Sequence, residues 1–173
     1  MDSTYFLVVG LCLIGLAIRT SYERLKKAGR VDITNTVIFY VVFAAMCVML
    51  ASWPAMCSLD PWRFVFPGAV QWIGLGVVAS ALALSIGGLV QLRGLENVDH
   101  LVTTGLFSRI RHPMYSGFIL WIFGWVMRCG AVVSLAIGLV GIFNILYWRR
   151  LEEGALESRY GEDYRIYRRG TWF

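Results

Sequence analysis

Five apolar runs, separated by short polar stretches, organise this chain. They cover residues 5–18, 36–53, 66–92, 114–127 and 131–148, and none contains a charged side chain. A bilayer span needs about 20 residues, with a lower limit of about 17. The third run is long enough to cross with tilt. The first and fourth are short, so both are expected to extend into their polar flanks. The pattern predicts helices over about 4–22, 35–53, 66–92, 113–128 and 130–150, followed by an amphipathic tail at 151–173. Only Arg128-Cys129-Gly130 separates the last two runs, so these two helices should form an antiparallel hairpin closed by a tight turn.

Composition narrows the class. The chain has 173 residues, of which 58% are hydrophobic and 16% charged, and its mean hydropathy is +0.64. A soluble domain usually carries about 25% charged residues. These values exclude a disordered tail, a collagen-like fibre, a disulfide-dense secreted scaffold and an ordinary soluble enzyme. The expected fold is all-α: a polytopic integral membrane protein of five transmembrane helices, forming one membrane domain over 1–173 with the lipid bilayer as a partner. Charge sets the expected orientation. Of the sixteen Lys and Arg, all but Arg63 and Arg128 fall in the first loop, in the third loop (Arg93, Arg109, Arg111) or in the tail. Cytoplasmic loops carry such an excess, so the N-terminus is expected outside and the C-terminus in the cytoplasm of a bacterial-type inner membrane. The net charge of +5 then needs no nucleic-acid partner. The first run has Asp2 before it and cations after it, which is the reverse of a signal peptide. A retained helix is expected.

Smaller features have local readings. Trp53, Trp62, Tyr147 and Trp148 stand at segment ends, as interfacial aromatics do. Gly74, Gly76, Gly87 and Gly88 in the third helix suit close packing through small residues. Cys12, Cys47, Cys57 and Cys129 show no metal or CxxC spacing. A Cys57–Cys129 disulfide is open, with unpaired thiols the favoured reading. No Ser/His/Asp set or phosphate loop is present.

Polar chemistry gathers in two blocks that flank the hairpin. The first runs from 101 to 115 and ends in Arg111, His112, Pro113 and Tyr115. Pro113 suits the first position of a helix, where a missing N–H is harmless. The positive end of that helix beside Arg111, His112 and Tyr115 would attract an anion. A plain helix cap meeting lipid headgroups fits equally well. In the second block, positions 149, 153, 156, 160, 164 and 167 recur at helical spacing and share one face. Gly161 is expected to break or kink that helix. A helix lying on the membrane surface is a serious competitor, but Glu152 and Glu153 fit hydrogen bonding to a ligand better. A hairpin would bring both blocks to one mouth, with Arg111, His112 and Tyr115 facing Arg150, Glu152 and Glu153. Such a mouth suits a zwitterionic cofactor carrying a sugar and a base.

Three strings carry a resemblance to a known family. They are T-T-G at 103–105, R-H-P-x-Y at 111–115, and R-x-E-E-x-x-L-x-x-x-Y-G-x-x-Y-x-x-Y at 150–167. With a hairpin between the second and third, the sequence resembles the isoprenylcysteine carboxyl methyltransferases, within the membrane methyltransferases that include the phospholipid N-methyltransferases. The resemblance covers about residues 90–170. It implies S-adenosyl-L-methionine as cofactor and a lipophilic methyl acceptor reached from the bilayer. It implies cofactor binding by Gly105, Leu106, His112, Pro113, Tyr115, Glu152, Glu153 and Tyr164, with Arg150 and Arg111 acting on the acceptor. Leu106-Phe107-Ser108 departs from the Pro-Tyr-Arg often found after that glycine, so acceptor identity is not carried over. A carboxylate acceptor needs only a holding arginine, whereas an amine must first lose a proton. A nicotinamide-dependent membrane reductase and a non-enzymatic membrane subunit are the competing classes.

Overall fold

The computed structural model describes residues 3–32, 35–92 and 100–173. Its helices are α1 (Ser3–Lys27), α2 (Thr36–Ser58), α3 (Gly68–Leu92), α4 (Pro113–Cys129) and α5 (Val132–Arg169), with a short 3-10 turn at Gly105–Ser108. No strand occurs among the described residues. Four of the helices, α1, α2, α3 and α5, are long and apolar enough to cross a membrane. The fourth, α4, has 17 residues, the lower limit for a span. Arg93 of the charge pattern lies outside the described residues.

The ends of three helices depart from expectation, and α2 runs past 53, with Pro54 inside it, to Ser58. The first, α1, continues through the polar stretch to Lys27. The fifth does not stop at 150: α5 runs on to Arg169, so most of the tail is helix. Nothing between 150 and 160 terminates it, since Gly154 alone costs only about 1 kcal/mol. Gly161 is the first residue that bends it, with φ 53° and ψ −122°, a conformation that favours glycine.

The hairpin between α4 and α5 is present, closed by Gly130 in the left-handed region at φ 67°. A β-carbon there would collide with the Phe64 carbonyl oxygen. The Phe64 amide donates to the Gly130 carbonyl at 2.7 Å, and the Val132 amide to the Trp62 carbonyl at 3.0 Å. The loop between α2 and α3 is thereby stitched to the hairpin turn. It also caps α5. Ala131, the residue before the helix, offers no side chain to the first turn. Asp60 does this from 74 positions away, accepting from the Ser134 amide at 2.6 Å and the Val133 amide at 3.4 Å. Free N–H groups at a helix start need such an acceptor.

The two arms of the hairpin are not each other's main partners. The closest packing is α3 against α4 and α1 against α2. Small residues permit the first: a β-carbon on Gly74 would meet the Gly124 carbonyl at 2.8 Å, and one on Gly124 would meet the Val78 side chain at the same distance. Between helices in lipid, such close van der Waals approach supplies much of the association energy. Gly76 packs against nothing. Trp53 and Trp148 are core residues rather than interfacial ones, at 5% and 0% exposure, whereas Trp62 and Tyr147 are exposed. The Trp148 indole stays inside because its N–H donates to Thr20 Oγ1 at 3.1 Å. All four cysteines are free thiols.

Gly124→Leu should push α3 and α4 apart and destabilise the fold by about 1–3 kcal/mol, as overpacking does. Thermal unfolding in detergent checks this, with Gly76→Leu expected to leave the midpoint nearly unchanged.

Candidate functional site

Pro113 stands at the first position of α4, with His112 as the residue before the helix. The ring of His112 is buried at 5% exposure and stacks on Tyr115, centroids 5.5 Å apart. From α5 come the two carboxylates. His112 Nε2 lies 3.4 Å from Glu153 Oε1, and Nδ1 lies 3.7 Å from Glu152 Oε2. Two cations share the same Glu153 oxygen: Arg111 Nε at 3.4 Å and Arg149 Nε at 3.7 Å. The two sequence blocks therefore meet at one end of the bundle.

Glu153 is buried, yet its carboxyl titrates at about 2, below the usual 4.5. Contact with the His112 imidazole is the main cause, Arg149 and Arg111 add to it, and burial works in the other direction. Burial pushes the Tyr167 phenol up to about 12 and raises Tyr164 as well, where the neighbouring Glu153 adds to the effect. Both phenols are therefore neutral donors at neutral pH.

Gly161 aims the end of the tail back at this cluster. Tyr164 is fully buried, and the Tyr167 hydroxyl donates to the Phe107 carbonyl at 2.6 Å. Beyond it, the last residues form a strap. The Arg111 amide donates to the Trp172 carbonyl at 3.0 Å, and the Trp172 amide to the Arg109 carbonyl at 2.8 Å. The Arg111 guanidinium donates to the carbonyls of Arg168 and Thr171. Phe173 packs edge-on against His112 and beneath the Arg149 guanidinium.

Some expected site residues fall elsewhere. Arg150 is exposed and outside the cluster; Arg149 is the neighbouring arginine that meets Glu153. The cause is helical register: 149 and 153 are one turn apart on the inner face, whereas 150 is turned about 100° away. Gly105 and Leu106 are committed to α3. The Leu106 amide donates to Gln91 Oε1 at 2.9 Å, and Gly105, at φ 61°, lies against the amide group of the same Gln91 side chain. Sequence reasoning missed the α1 contribution. Arg19 and Glu23, both buried, pair at 2.6 Å, and Lys26 joins Glu23 at 3.1 Å. The pair acts electrostatically on Tyr115, whose hydroxyl faces Glu152. Their i, i+4 spacing on the face of Cys12 and Gly15 was the available signal.

Beside the cluster opens a cleft of about 380 Å³, with Glu152, Arg111, Leu156, Tyr160 and Tyr167 in its walls. That size falls within the usual range for small-molecule sites, about 300–1,000 Å³. Among the buried polar atoms that make no hydrogen bond are His112 Nε2 and Arg149 Nε, both facing Glu153, and Tyr160 Oη and Tyr164 Oη. Buried polar atoms are rarely left so. Donors, one carboxylate and aromatic rings line the cleft, so it can take a polar ligand with a cationic and an aromatic part.

Together the fold and site define a class: a multi-pass helical membrane protein with a polar, largely buried centre at one end of its bundle. Residues 62–163 match the family model described as phospholipid methyltransferase, and the chain belongs to that family. It is 36% identical over 81 residues to the protein-S-isoprenylcysteine O-methyltransferase of Schizosaccharomyces pombe, covering 43% of this chain and 32% of that protein. It is 32% identical over 121 residues to protein-S-isoprenylcysteine O-methyltransferase B of Arabidopsis thaliana, covering 57% and 58%. It is 34% identical over 109 residues to the methanethiol S-methyltransferase of Pseudomonas deceptionensis, covering 58% and 41%. The match thus spans less than two thirds of each relative's length. No solved structure matches the chain significantly.

The depressed Glu153 value carries a sign. A carboxylate with a lowered native pKa stabilises the fold above its unfolded pKa, near 4.5, and that contribution is lost as pH falls towards 2. Thermal midpoints should therefore drop between pH 4.5 and 2 in the parent protein and much less in Glu153→Gln. Gly161→Ala should straighten the tail and weaken ligand binding while leaving the helical circular-dichroism signal unchanged.

Proposed function

We propose that this protein transfers a methyl group from S-adenosyl-L-methionine to a lipidic or small hydrophobic acceptor, with a carboxylate favoured, at the cytoplasmic membrane face. The observation that carries the reading is the cleft beside the His112–Glu153 cluster, with its buried unbonded polar atoms, in a chain of the phospholipid methyltransferase family. The placement follows five spans with the N-terminus outside, which the concentration of cations at the site end supports.

When bound, the cofactor supplies an electrophilic methyl group on a sulfonium. This chain's residues do the rest by position. Glu152 and Glu153 face the ligand's cationic groups, His112 and the buried Tyr164 offer hydrogen bonds, and Tyr115 backs the imidazole. Pro113 starts α4 beside the cluster, and the positive end of that helix favours an anionic group there. Arg111 locks Glu153 and the C-terminal strap in place. Gly105 and Leu106 shape the wall by holding the 105–108 turn on α3. Arg150, at the exposed edge, orients an incoming carboxylate. Correct placement of donor and acceptor can lower such a barrier by about 7–11 kcal/mol.

The family's description favours a second reading, methylation of a phospholipid amine. That acceptor needs deprotonation, for which Glu152, the carboxylate in the cleft wall, is the candidate base.

Titration of the detergent-solubilised protein with S-adenosylhomocysteine tests the reading. We expect saturable binding, weakened at least tenfold by His112→Ala without loss of folded protein. Absence of binding to the parent at high ligand concentration would contradict it. Arg149→Gln should weaken that binding. Arg150→Gln should leave binding intact and lower the yield of methyl-labelled product from a membrane extract.

A further inference from the structure

The far end of the bundle holds a second polar cavity. It measures about 390 Å³ and is bounded by the hairpin turn, the start of α3 and the loop between α2 and α3, with Arg63, Gln71, Trp125, Arg128 and Cys129 in its walls. Arg63 and Arg128 are the two cations that stand apart from the other fourteen in the charge pattern. The fold brings both to this one cavity.

Neither is neutralised there. The carboxylate closest in sequence, Asp60, is consumed by the backbone amides of Trp62, Val133 and Ser134. Among the described residues neither arginine forms an ion pair. Instead each is held by a neutral acceptor. Arg63 Nε donates to the Asp60 carbonyl at 3.3 Å. Arg128 donates one N–H to Gln71 Oε1 at 2.9 Å. Gln71 is itself oriented by its own amide, which donates to the Phe66 carbonyl at 3.1 Å. A guanidinium carries five N–H donors in a planar fork, so most of the donors of both remain for a ligand. An arginine that is always charged and placed without an acid in a cavity is suited to an oxyanion, phosphate above all.

The rim says how the anion arrives. Trp62, Phe64 and Val65 flank Arg63, and all three are exposed, Val65 at 88%. Exposed aromatic and aliphatic side chains at the end of apolar helices sit at headgroup depth in a bilayer. A free anion gains nothing from them, whereas acyl chains do. We propose that this cavity binds the phosphate group of an anionic phospholipid, with Arg63 and Arg128 as the paired anion ligands and the 62–66 loop against the lipid chains. The site lies at the opposite end of α4 from His112, and the inference stands independently of the methyl-transfer reading.

Native mass spectrometry and thermal unfolding of the full detergent-purified chain test it in three arms: phosphatidylglycerol, phosphatidylcholine and inorganic phosphate. We expect phosphatidylglycerol to give a retained adduct and a higher midpoint, with phosphatidylcholine weaker. The Arg63→Gln/Arg128→Gln variant should retain at least fivefold less adduct, while Lys27→Gln, a charge loss at the other end, retains it fully. Arg63→Gln alone, on an exposed loop side chain, should already lower retention if the double variant does not fold. Equal retention in parent and arginine variants would overturn the proposal. So would stabilisation by inorganic phosphate equal to that by phosphatidylglycerol, which would mark a site for free anions.

Discussion

One carboxylate organises the end of the bundle where α4 begins. Glu153 sits where α5 leaves the apolar part of the bundle, and His112, Arg111 and Arg149 all approach the same oxygen. A buried charge of this kind is weak evidence of stability, because desolvation offsets much of the Coulombic gain. Its consequence is geometric. It fixes the end of α5 against the start of α4, and through Arg111 it recruits the C-terminal strap. Removing Glu153 leaves three basic groups facing one another in a poorly solvated space. The other devices of the fold serve this alignment: Gly130 permits the tight turn, Asp60 caps α5 from the loop, and the glycines of α3 and α4 set the helix spacing.

The arrangement also explains why a small chain can hold a polar site in a membrane. Ionisable groups among transmembrane helices are expensive and are kept where they pair or meet water. Here they are confined to the helix ends. Arg19, Glu23 and Lys26 close the ring from α1, and the kink at Gly161 folds Tyr164 and Tyr167 over it. Between the two ends the helices carry almost only apolar and small residues, packed by contact rather than by hydrogen bonds.

Much of this was legible in the sequence, because each signal was local. Apolar runs marked the helices, Pro113 marked the start of α4, and Gly161 marked the kink. The three-to-four spacing of 149, 153, 156, 160, 164 and 167 gave the inner face of the tail, and all six are buried or half-buried. What was not legible depends on contacts between distant segments. Choosing between Arg149 and Arg150 required knowing how α5 is rotated against α4. Trp53 and Trp148 looked interfacial by position, and only packing made them core. Asp60 caps a helix more than seventy residues away, which no spacing rule reports. The commitment of Gly105 and Leu106 to α3 depends on Gln91, a residue with no distinguishing motif. A resemblance of strings marks the segments that matter without saying which atoms of each face the ligand.

A double-mutant cycle between His112 and Glu153 tests the central claim most directly. Unfolding free energies would be compared for the parent, His112→Ala, Glu153→Ala and the double variant. Groups in contact couple by about 0.5–3 kcal/mol, and a coupling in that range is expected at neutral pH. Strictly additive losses would contradict it, because the two segments would then not meet as described.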